Sequence, residues 1–135
     1  MAVSSTIDMK IKIIYYFILI FLGASCSRLN DRIEKLRRFG TSEFDSYVWS
    51  ISNEYIRGTM IYDFVTSNSP ITDKNFDFIL RNLGNSTGYY EYDMNPAYYI
   101  GSKPIETDAR IYLIAFVIDH ESGRVRDIRI RPELE

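Results

Sequence analysis

Arg110–Ile118 reads RIYLIAFVI, an arginine followed by eight apolar residues with no polar interruption. The run is too short for a buried helix and rich in β-branched and aromatic side chains, so it predicts a strand covered on both faces. Asp119, His120, Glu121, Ser122 and Gly123 then make a turn into a second strand, Arg124–Arg131. On the other side, Tyr89–Tyr92 and Ala97–Ile100 are aromatic-rich stretches separated by Asp93, Met94, Asn95 and Pro96. The economical reading of that pair is a β-hairpin. A central apolar strand inside a meander needs helices to cover it, and the helical patterns all lie earlier in the chain. The expected fold is therefore α+β, a two-layer sandwich with N-terminal helices packed on a three- to four-stranded antiparallel sheet.

Three helical segments are expected. In Thr72–Gly84, Phe76, Ile79, Leu80 and Leu83 recur at helical spacing, Thr72 is placed to cap the start and Gly84 to end it. Ser52–Val65 puts Ile56, Met60, Ile61, Phe64 and Val65 on one face, with Ser52 or Asn53 as the cap; Gly58 weakens it by about 1 kcal/mol relative to Ala. Arg28–Phe39 has Leu29, Ile33 and Leu36 among charges and stops at Gly40, as a short amphipathic helix or part of a flexible tether would.

The amino terminus has a different character. Ile13–Ala24 reads IIYYFILIFLGA, without a charge, directly after Lys10 and Lys12. A membrane span needs roughly 20 apolar residues, so this run fits the apolar core of an export signal better than a spanning helix. The signal is complete from Met9, which makes Met9 an alternative start to Met1. The single cysteine, Cys26, follows Ala24 and Ser25, where a bacterial lipoprotein signal carries its modified residue, although Gly23 stands where such signals prefer Leu. The expected organisation is residues 1–25 as a lipoprotein-type signal, 26–40 as a lipidated tether with a short helix, and 41–135 as the α+β domain. An ordinary signal cut near Ala24 and an uncleaved anchor are the alternatives. Lipidation at Cys26 gives the several-chain anchoring that one acyl chain does not. Ser27, rather than Asp, follows the cysteine; this resembles lipoproteins sent to the outer membrane rather than retained at the inner one.

Composition limits the chemistry. One cysteine allows no internal disulfide and no multi-cysteine metal cluster, and one histidine excludes histidine-rich metal sites. With 16 Lys+Arg against 18 Asp+Glu, nothing in the charge balance points to nucleic acid. No GxGxxG or Walker pattern occurs, so no phosphate cradle and no cofactor is expected. His120 beside Asp119 reads as a solvated turn rather than a general base, because no nucleophile stands in a recognisable context. Asp73 with Asp77, one helical turn apart, and Glu91 with Asp93, on one strand face, read as cap chemistry and a wet surface. Two surface features are left as candidate partner-binding groups. Tyr89, Tyr90, Tyr92, Tyr98 and Tyr99 cannot all point inward from adjacent strands, so Tyr90, Tyr92 and Tyr99 are candidates for protein or glycan contact. Arg129 and Arg131 on the last strand are candidates for an anionic partner, or else protect a sheet edge.

The order of features also resembles the SmpA/OmlA (BamE)-like group of small bacterial lipoproteins. The residues that carry the likeness are Trp49, Arg57 and Met60, Ile71–Gly84 (ITDKNFDFILRNLG), Tyr99–Gly101 (YIG) and Leu113–Val125. What the resemblance implies is a lipid-anchored, periplasm-facing accessory protein of the outer membrane with an envelope protein partner and no enzymatic activity. A second expectation, drawn from the tyrosines, is a small-molecule or glycan-binding lipoprotein, which requires a concave pocket.

Overall fold

The computed structural model describes Lys12, Ile14, residues 28–102 and residues 110–134. The chain divides into two units, residues 1–31 and 32–135. In the first, Lys12, Ile14 and residues 28–31 are helical; the expected signal cleavage site and Cys26 lie outside the described residues. Among the described residues no helix is long and apolar enough to cross a membrane.

The second unit is an α+β fold built on a three-stranded antiparallel sheet of β1 (Ala97–Gly101), β2 (Ile111–Ile118) and β3 (Val125–Arg131), in the order β1-β2-β3. The apolar run RIYLIAFVI is the middle strand. Tyr98 pairs with Ile114, which pairs with Ile130, and Phe116 pairs with Ile128. Because neighbours alternate, these residues share one face with Tyr112, Ile100 and Ile118. The opposite, outer face carries Ala97, Tyr99, Leu113, Ala115, Val117, Asp127, Arg129 and Arg131 in register. A register shift at Val117/Ile118 leaves Arg126 as the extra residue of β3, exposed to solvent.

Helices cover the inner face. Residues 32–35 are helical and tighten into a 3-10 turn, Leu36–Phe39, which Gly40 ends with φ 135°. That value is open to glycine and strained for other residues. Next come α1 (Ser46–Ile51), α2 (Glu54–Ser67) and α3 (Phe76–Leu83). Each has a side-chain cap: Asp45 accepts from the Val48 N–H, Asn53 from Ile56 and Asn75 from Phe78. The core they close is aromatic. Trp49 meets Tyr98 edge-on at 5.9 Å, Tyr98 meets Phe116 at 6.4 Å, and Phe116 meets Phe64 at 6.2 Å. Such pairs contribute about 0.5–1.5 kcal/mol each beyond the area they bury.

Four expectations change in detail. Helix α1 was not expected; its apolar residues have no helical period, and it forms because Asp45 caps it and Trp49 anchors it in the core. Ser52 does not cap α2, because its hydroxyl donates back to the Val48 carbonyl and closes α1 instead. Ile56 is exposed rather than on the buried face of α2. Thr72 does not cap α3: Ile71–Asp73 forms a separate 3-10 turn after Pro70, and the helix starts behind Asn75.

The largest departure is the tyrosine hairpin. Residues 89–92 are not a strand beside β1, because β1 is already paired with β2 and its free edge is taken by residues 86–88. Thr87 and Gly88 donate to the Ala97 carbonyl, and the Thr87 hydroxyl accepts from the Tyr99 N–H. From there the chain crosses the outer face of the sheet. Gly88 passes over Leu113 and Tyr99 so closely that a Cβ would collide with the tip of the Leu113 side chain and press on the Tyr99 ring. Tyr90 comes to rest under the Arg131 guanidinium, 5.9 Å from the ring centre, and Tyr92 meets His120 in the β2–β3 turn at 5.3 Å. Buried Asn95 fixes the return by accepting from the Ile118 N–H and donating to the Tyr90 carbonyl. The loop between α3 and β1 is thus the second layer over Ala97, Ala115 and Val117, all of which it leaves buried.

Candidate functional site

The five tyrosines separate by environment. Tyr98 is wholly buried, donates its hydroxyl to the Gly84 carbonyl at 2.7 Å and belongs to the core. Burial pushes its phenol well above the usual range, and the nearby Arg57 charge offsets this in part. Tyr90 is half-buried beneath Arg131. The remaining three face solvent: Tyr89 at 62%, Tyr92 at 55% and Tyr99 at 42% exposure. Of the candidates Tyr90, Tyr92 and Tyr99, two are available for contact and one is a support for the loop. Tyr89 joins them.

The tip that presents these rings is built locally. Tyr92 donates its N–H to the Tyr90 carbonyl at 2.6 Å across a single residue, Glu91, which holds φ 61°. A hydrogen bond spanning three residues with a positive central φ is a γ-turn of the rare kind, and a non-glycine residue there stores strain. Asn95 clamps the tip from behind, and the Tyr89 hydroxyl donates to the Glu91 carbonyl. Glu91 and Asp93 therefore do not share a strand face; both are exposed on this loop. Exposed Met94 and Tyr99, with exposed Ile111 two residues along β2 from the partner of Tyr99, extend the apolar surface along the sheet.

Arg129 and Arg131 lie on the same outer face, at β3, and are tied down. Asp127 binds Arg32 at 2.7 Å and the Arg129 Nε at 3.0 Å, while Arg131 binds Glu133 at 2.7 Å. Lys35 donates to the Leu134 carbonyl. Arg32, Lys35, Arg129, Arg131, Glu133 and Leu134 line an open groove of about 200 Å³. Arg131 is also the cation stacked on Tyr90, so the arginine and tyrosine candidates are physically joined through one pair. A second, shallow cavity of about 370 Å³ lies between α1 and α3, beside Trp49, Asn82 and Leu83. Tyr47, Val48 and Ile51 of α1 are exposed, an apolar set with no warning in the periodicity.

The remaining candidates are placed apart. His120 is exposed in its turn, beside Tyr92 rather than a nucleophile. Hydrogen bonds from Ser122 hold the Asp119 carboxyl below its ordinary range. Asp73 sits in the 3-10 turn and Asp77 in the first turn of α3. Among the described residues, no three His, Cys, Asp or Glu side chains gather as a metal-ligand set. Trp49 and Arg57, prominent in the sequence, are structural: the indole N–H donates to the Leu83 carbonyl, and Arg57 stacks on the indole at 5.1 Å while donating to the Trp49 carbonyl.

No family model matches this chain, and no curated protein or solved structure matches it.

Proposed function

We propose that the chain is a lipid-anchored, non-enzymatic domain facing the periplasm from the outer membrane, acting through protein contacts in outer-membrane assembly or envelope maintenance. The observation that carries the docking role is the exposed row Tyr89, Tyr92, Met94 and Tyr99 on a loop held rigid from beneath. Tyrosines with one wet end and little conformational freedom to lose are favoured at protein interfaces. The alternative, a small-molecule or glycan site, needs concavity, and neither of the cavities described is lined by Tyr89, Tyr90, Tyr92 or Tyr99. The anchoring role rests on the sequence alone: the apolar run Ile13–Ala24, the small residues after it and Cys26. The resemblance to the SmpA/OmlA (BamE)-like lipoproteins supports both parts.

Two experiments test this reading. Palmitate labelling with membrane fractionation compares the wild type with Cys26→Ala: label and membrane association are expected in the first and lost in the second. An unlabelled wild type removes the anchor. For the docking role, a photo-crosslinker at Tyr99 is expected to capture a specific envelope protein in cells. A position on α2 such as Thr66, exposed on another element, serves as the control. Equal capture from both positions, or none from either, removes the docking role.

A further inference from the structure

The chemistry of the exposed loop narrows the partner. Around Tyr89, Tyr92 and Met94 stand the carboxylates Glu91 and Asp93, both exposed. Through the ring contact between Tyr92 and His120, the loop adjoins the β2–β3 turn, which adds Asp119 and Glu121. Arg131, stacked on Tyr90, is balanced by Glu133, which leaves Arg124 and Arg126 as the opposing charges nearby; Arg126 acts on Asp119 and both sit on the β3 side of the turn. Four carboxylates against two arginines leave the aromatic surface with net negative charge. Rings interleaved with carboxylates suit a long cationic side chain, whose methylene stem lies along apolar surface while its head reaches an acid or a ring face. The clamped γ-turn and Asn95 mean that little ordering cost remains to be met on binding.

We propose that this ledge, centred on Tyr92, receives a lysine- or arginine-bearing segment of the partner protein. The proposal rests on the docking role above and names the chemistry of what docks. Charge complementarity chooses this occupant over the others the surface could meet: an acidic segment would face four like charges, and anionic lipid headgroups would be repelled.

The test uses the full chain in mild detergent and a fluorescent dodecapeptide of alternating arginine and serine, with a glutamate–serine peptide and maltohexaose as comparison probes. Binding of the arginine peptide is expected, weakening as salt rises. Tyr92→Ala and the double variant Glu91→Gln/Asp93→Asn are each expected to weaken it by about tenfold. Glu43→Gln/Glu54→Gln, which removes as much charge from exposed positions on other elements, is expected to leave it unchanged. Thermal melts of all variants check that the fold is retained. Equal weakening by the control double variant reduces the effect to overall charge and overturns the proposal, as does an arginine peptide that does not bind. Maltohexaose binding that Tyr92→Ala abolishes makes the ledge a glycan platform instead. Should the peptide fail while Tyr99 still crosslinks a protein, only the basic chemistry falls; should Tyr99 capture nothing, the docking role itself falls.

Discussion

Replacing Gly58 by alanine separates local propensity from tertiary packing. Gly58 lies within the fourteen-residue helix α2, where alanine is favoured over glycine by about 1 kcal/mol, so a local view expects stabilisation. The tertiary structure reverses the sign. A Cβ at position 58 would stand 2.5 Å from the Gly101 carbonyl oxygen and 3.4 Å from its nitrogen. The first distance is about 1 Å short of a comfortable contact. The obstacle is backbone at the end of β1, in register with Ile111, so no side-chain rotation relieves it. Either α2 lifts away from the sheet or the end of β1 leaves its ladder. Overpacking of this kind costs about 1–3 kcal/mol, and a backbone obstacle places it at the upper end. Subtracting the helical gain leaves a net loss of about 2 kcal/mol, or roughly 8–16 °C in Tm for a domain of this size. Thermal unfolding followed by circular dichroism reads the shift, and amide exchange at Gly101 and Ile111 locates it. A Gly58→Ala protein as stable as the wild type, or more so, would refute the close packing of α2 on β1.

Other expected outcomes are more local. Tyr98→Phe leaves the Gly84 carbonyl without its hydroxyl donor and is expected to cost about 1–2 kcal/mol in urea unfolding, with no change in the far-ultraviolet spectrum. Asn95→Ala strips the buried Ile118 N–H of its acceptor and removes one of the two donors to the Tyr90 carbonyl. A loss of about 1–3 kcal/mol is expected, with faster amide exchange across residues 89–94 as the loop detaches. Asp119 is held below the ordinary carboxylate range by Ser122, so its contribution is present at neutral pH and fades as the pH falls through that lowered value. A carboxyl titration by NMR should find it below the ordinary carboxylate range, and Ser122→Ala should raise it towards that range.

What the sequence makes legible follows from which interactions are local. The middle strand, the last strand and α3 are readable because each has a run or period of its own, with ends marked by residues such as Gly84 and Gly123. Asn53 is readable as a cap because a cap acts within three residues. Helix α1 is not, since SYVWSI has no amphipathic period and depends on Trp49 reaching Leu83 across thirty-four positions. The tyrosine loop misleads for a related reason. Its composition is that of a strand, but the edge it would pair with is occupied by Thr87 and Gly88, and that competition exists only in three dimensions. Composition and strand alternation marked Tyr90, Tyr92 and Tyr99, and separately Arg129 and Arg131, as surface candidates; that they adjoin is visible only through the Arg131–Tyr90 stack. Dividing them into supports and available groups needed the Arg131–Tyr90 stack and the Arg32–Asp127 pair, which spans ninety-five positions.

Because the loop between α3 and β1 already seals the outer face over Ala115 and Val117, the domain does not depend on another molecule to complete its core. Folding is thereby uncoupled from the docking proposed for the loop tip. A substitution at exposed Tyr92 is then expected to change the docking proposed above while leaving the thermal stability of the domain near that of the wild type.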